Sequence, residues 1–167
     1  MSEIEQAVKE IEAYVAADGW DGPVRVFSLV DAEAAMAVNS TLAAELPADA
    51  TGLLSIEQEG LPSSDSIDEL LGRLAWPDAV DGAAISLERM TLPPEAEAEI
   101  PDDAEEARRF VAADPRREDI RMVVGVLRNG ESWCTIRLRS HDSQAEAISG
   151  ADLVPEMVEA LLATFAE

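Results

Sequence analysis

Apolar residues at Ile4, Val8, Ile11 and Val15, with Tyr14 beside them, recur at the spacing of one helix face. Ser2 and Glu5 form a capping-box pattern ahead of them, and Asp18-Gly19 supplies a stop. This predicts a first helix with one apolar stripe and an acidic back of Glu3, Glu5, Glu10 and Glu12, laid on a sheet. Val24 to Val30 reads as a strand apolar enough to be buried on both faces. Asp31 can cap a short helix over Ala32 to Val38, and Ser40 or Thr41 another turn that breaks at Pro47. Leu53 to Glu59 is a short strand with Leu54 and Ile56 inward and Ser55 and Glu57 outward. Ser64 or Asp65 opens a helix over Ser66 to Ala75, with Ile67, Leu70, Leu71 and Leu74 as its stripe, stopped by Trp76-Pro77. Ala83 to Leu92 is a third strand, Ile85 and Leu87 on one face, Ser86 and Glu88 on the other.

The proline-flanked acidic run 93–103 reads as a solvated loop. Asp102 or Asp103 caps a helix to Ala113 that packs lightly, through Phe110 and Val111. The run 141–146 reads as a polar loop. The last helix, capped by Asp152 and with Pro155 in its first turn, carries a stripe of Met157, Val158, Leu161, Leu162 and Phe165.

The clearest signal is a β-hairpin over Asp119 to Ser140. A two-residue Asn-Gly loop would pair Val126 with Trp133 and Met122 with Arg137, mixing apolar and charged residues on both faces. A three-residue loop, Arg128-Asn129-Gly130, instead pairs Val126 with Ser132, Val124 with Cys134, Met122 with Ile136 and Ile120 with Leu138. One face then gathers Ile120, Met122, Val124, Val126, Cys134, Ile136 and Leu138, and Gly130 falls where a left-handed backbone is needed. The hydrophobic pattern selects this register. The opposite face carries Arg121, Val123, Leu127, Trp133, Thr135, Arg137 and Arg139, with Arg121 directly across from Arg137. Like charges so placed repel, so an acidic group should neighbour them, with Glu88 a candidate.

These elements predict one α+β domain over residues 1–167: a five-stranded, mainly antiparallel twisted sheet with the N- and C-terminal helices packed on it and one face covered. A doubly wound α/β fold is the alternative; it requires parallel strands with strongly apolar cores, and LLSIEQE is not one.

Composition changes the picture in two ways. The net charge is −23, from 35 acids against 12 bases, which argues against nucleic acid or an anionic membrane as partner. Residues 108–139 reverse the trend, with eight arginines and four acids, and read as a basic sheet segment inside an acidic body. No basic-then-apolar leader and no run of about 20 apolar residues is present, so a cytoplasmic location is expected.

Candidate chemistry is sparse. The sequence has neither G-x-G-x-x-G nor G-x-x-x-x-G-K-[ST]. Lys9 is the only lysine, His141 the only histidine and Cys134 the only cysteine, which removes disulfides and most zinc sites. Ser140-His141-Asp142 suggests a triad, but adjacent residues of an extended chain point to opposite sides and cannot relay a proton. No catalytic, cofactor-binding or metal-binding residue is assigned, and no cofactor is expected. The residues predicted to contact a partner or an anion are Arg121, Trp133, Arg137, Arg139 and His141, if no helix covers their face.

The runs ADGWDGPVRVFSLV, SIEQEGLP, DELLGRLAWP, ERMTLPPEAEAEIP, REDIRMVVGVLRNG and CTIRLRSHD together resemble, in the same order, an actinobacterial family of small acidic proteins of unknown function. That resemblance implies a bacterial cytosolic protein and brings no site residues with it. In outline the predicted domain is also similar to secretion-chaperone-like folds. The expected function is a non-enzymatic interaction module, adaptor or chaperone-like, with a protein partner or self-association as a homodimer. The alternative is a small anionic-ligand binder or enzyme built on arginines and carboxylates.

Overall fold

The computed structural model describes residues 2–38, 52–59, 61, 67–151 and 153–165. Among the described residues, six strands form one sheet in the order β2-β1-β3-β4-β5-β6, with every neighbouring pair antiparallel. They are β1 (Arg25–Asp31), β2 (Leu53–Glu57), β3 (Gly82–Thr91), β4 (Glu118–Leu127), β5 (Ser132–Leu138) and β6 (Ile148–Gly150). The class is α+β as the pattern predicts, and the doubly wound alternative fails because no pair among the described strands is parallel. The strand number is corrected from five to six. β6 is only three residues long and carries one large apolar side chain, too little for periodicity to register.

The hairpin register is the one selected by the hydrophobic pattern, from Val126 opposite Ser132 to Ile120 opposite Leu138. Gly130 has φ of +96°, and its N–H donates to the Leu127 carbonyl at 2.9 Å.

Helices cover both faces of the sheet, which corrects the expected single covered face. α1 (Glu3–Ala16), capped by the Ser2 hydroxyl, buries Ile4, Val8, Ile11 and Val15 against Phe27, Leu29, Val123 and Leu127. Gly125 lies directly beneath it. A Cβ there would come within 2.7 Å of Val8 and 3.0 Å of Ile4, so the helix seats on bare backbone. The other face receives α3 (Ile67–Gly72) and α6 (Pro155–Ala163), through Leu70, Leu71, Met157 and Leu161. Cys134 is fully buried there, as its apolar strand position predicts. Trp76 stacks on Phe165 and donates its indole N–H to Thr164 Oγ1 at 2.8 Å, tying the segment after α3 to the end of α6.

Asp31 caps α2 (Ala32–Val38), accepting from the Ala34 N–H. The predicted caps at Ser40 or Thr41, the break at Pro47, and the caps at Ser64 or Asp65 and at Asp152 lie outside the described residues. In β2 Leu54 is half-buried and Ser55 exposed as expected, but the last two residues depart from the pattern: Ile56 is exposed, while Glu57 is half-buried and binds Arg25. The acidic run contains a helical turn, α4 (Pro94–Glu97), whose Ala96 is fully buried, so it is not a plain solvated loop. α5 (Ala104–Ala113) is capped by Asp103 and buries no residue fully, the light packing that its sequence predicts.

Candidate functional site

The arginine face of the hairpin lies under α1. Arg121 is 1% exposed, Arg137 7% and Glu12 2%. Glu12 belongs to the predicted acidic back of α1, yet it is buried, and it supplies the acid expected between the two arginines. Its carboxylate contacts Arg137 Nε, accepts from Arg137 Nη2 at 3.1 Å and lies 4.0 Å from Arg121 Nη2. Glu88, the acid anticipated from sequence, sits opposite Arg121 in register but accepts the backbone N–H groups of Asp21 and Gly22 at 2.8 and 2.9 Å. Arg121 also donates to the Gly19 carbonyl at 3.1 Å and stacks on the Trp20 ring. Burial pushes its guanidinium below the ordinary arginine value. Its Nε and Nη2 have no hydrogen-bond acceptor.

The remaining predicted contacts are placed around this cluster. Trp133 is half-buried against the α1 core. Arg139 holds Asp21 through two hydrogen bonds, at 2.9 and 3.0 Å, and keeps that carboxyl below the usual carboxylate range. Asp142 is lowered likewise, first by the Trp20 indole N–H and then by Arg137, which donates to it at 3.1 Å. His141 is exposed.

Residues 139–141 form a turn of 3-10 helix, so the extended-chain premise fails, and Ser140 Oγ does reach His141 Nδ1 at 2.9 Å. The relay is still incomplete. Ser140 donates its proton to Glu118, and Asp142 bonds Arg137. Among the described residues, no group of three His, Cys, Asp or Glu side chains could hold a metal ion.

A second site was not anticipated from sequence. A groove of about 510 Å³ runs between the end of β3 and α5, with Val24, Leu87, Met90, Ile100 and Val111 among its walls. Met90 is 46% exposed there. β1 stops pairing at Ser86, so Leu87 to Thr91 of β3 are paired with β4 alone among the described strands. Arg89 and Arg108 also line the groove. Among the described residues they are the two cations whose side chains make no ion pair or hydrogen bond. Arg128, which also lacks an acid, donates to the carbonyls of Val80 and Pro77.

The family described as PPA1309-like protein matches residues 4–166. The chain belongs to that family. No curated protein and no solved structure matches this PPA1309-like chain. The family description carries no activity and assigns no site residue. Among the described residues, no helix of this PPA1309-like chain is long and apolar enough to cross a membrane.

Proposed function

We propose that this PPA1309-like protein is a non-enzymatic protein-interaction module of the actinobacterial cytosol, adaptor- or chaperone-like, whose partner docks in the groove between β3 and α5. One observation carries the reading. An open apolar groove and the two side-chain cations without a partner among the described residues coincide, in a chain with 35 acids for 12 bases. Exposed apolar surface rimmed by polar groups marks interaction sites, and arginine is enriched at their energetic centres. The net charge of −23 adds solubility to a protein that presents such a surface.

A photoreactive side chain in place of Met90 tests this in extract of the source organism. A discrete adduct is expected at that position and none from the same group in place of Glu131, at the exposed hairpin turn. A second copy of the chain in the adduct would make self-association the interaction. Equal labelling at both positions, or none, would remove the groove as an interface.

A second reading is a small anionic ligand held by Arg121, Arg137, Arg139 and His141. It is favoured by the two acceptorless donor nitrogens of Arg121. An anion there must displace the turn around Gly19 and Trp20, which closes over Arg121. Saturable thermal stabilisation by phosphate, sulfate or citrate would support this reading. A flat response to all three would discard it.

A further inference from the structure

We infer that the groove receives an extended acidic segment of a partner protein, its apolar side chains entering between Leu87, Met90 and Val111 and its carboxylates meeting Arg89 and Arg108. This rests on the interaction reading above and names the chemistry of the partner.

Three observations converge on it. The first is the unpaired length of β3. Leu87 to Thr91 continue past the end of β1 with β4 as their one partner among the described strands, and such an edge accepts an added strand. The second is shape. Val24, Ile100 and Val111 are half-buried and Met90 is exposed, so an apolar floor lies beside that edge. An inserted strand would present alternate side chains to this floor and to the rim.

The third is charge. Arg89 stands on the strand and Arg108 on the helix across from it. Arg117 adds a cation at the margin, its guanidinium 3.9 Å from Met90 Sδ and 3.5 Å from Asp119. Glu88 is the acid in the lining, and both its oxygens already accept backbone N–H groups. The overall charge of −23 opposes an acidic partner at long range. At physiological ionic strength screening acts over about 8 Å. The arginines inside the groove therefore decide what it accepts, and the rest of the surface slows the approach.

The probe is a fluorescein-labelled nonapeptide alternating glutamate with leucine or valine, compared with two controls, one with lysine for glutamate and one with serine for the apolar residues. Fluorescence anisotropy is read on the full chain, as wild type and as the Arg89→Glu/Arg108→Glu variant. Both arginines are exposed, so the variant retains the fold, checked by circular dichroism. The acidic apolar peptide is expected to bind saturably, with affinity at least about tenfold weaker for the variant. The serine control is expected to lose binding, and the lysine control to bind the variant in preference to wild type. Binding of the lysine peptide to wild type as tight as that of the acidic peptide would overturn the inference, as would an acidic peptide indifferent to the variant or unbound by wild type. If the inference fails while Met90 still crosslinks a partner, the interaction reading stands and only the acidic chemistry falls.

Discussion

Glu12 is the residue on which the interior electrostatics turn. It faces two buried guanidiniums, and removing one member of a buried ion pair leaves an uncompensated charge. Glu12→Ala should cost about 3–5 kcal/mol of stability by urea denaturation. Glu12→Leu combined with Arg121→Met and Arg137→Leu should regain most of that loss, because well-packed apolar residues replace buried ion groups with little penalty. A triple variant no more stable than Glu12→Ala would show that the cluster holds the fold by some other means. Arg139→Ala is expected to shift the same midpoint little, since its two-bond pair with Asp21 is solvent-exposed on both sides. The opposed arginines were legible in sequence because register follows from hydrophobic alternation. Their acid was not. Glu12 lies at the boundary between the apolar stripe and the polar back of α1, and only its place over β5 distinguishes it from Glu10.

At the scale of elements, the docking of α1 depends on Gly125. Gly125→Ala should destabilise by about 1–3 kcal/mol in thermal or urea unfolding, because its methyl group meets Val8 and Ile4. Adding Val8→Ala should give a double variant more stable than the sum of the single losses predicts. Strict additivity would mean that the helix moves as a body instead of colliding locally. Long alternating elements were readable from the chain: the β4–β5 hairpin and the stripe of α1 appear as predicted. β6 was not, since three residues hold less than two periods of a strand. The groove was equally invisible, because Met90 of β3, Val111 of α5 and Val24 just before β1 come from three distant segments whose juxtaposition depends on where β1 stops pairing. The reversed facing of Ile56 and Glu57 has a local cause: Glu57 turns towards Arg25, which bonds it at 2.6 and 3.1 Å.

For the whole molecule, charge sets two opposing pH trends. As pH falls from neutrality toward the sequence pI of about 4.1, mutual repulsion among the acids declines, and stability should first rise. Asp21, Asp114 and Asp142 are held below the ordinary carboxylate pKa by Arg139, by Arg116, and by Trp20 with Arg137, respectively. A depressed carboxylate stabilises the fold above its unfolded pKa, and that stability is lost as pH falls through the folded value. The decline should therefore begin at about pH 4 and continue downward. Thermal unfolding across pH should show a maximum between these limits. At neutral pH, raising salt from about 0.02 to about 0.5 M should raise the melting temperature, because screening weakens long-range repulsion more than the close pairs. A fall with salt would mean that the exposed pairs outweigh the repulsion.

The hydrogen bond between Glu12 and Arg137 joins residues 125 positions apart. On the ribosome, α1 leaves the exit tunnel well before β4 and β5, which form much of its floor. Ile4, Val8, Ile11 and Val15 therefore have no completed surface to dock on until β5 has emerged. The nascent chain must pass that interval with its apolar stripe facing water and its acidic residues holding neighbouring chains apart.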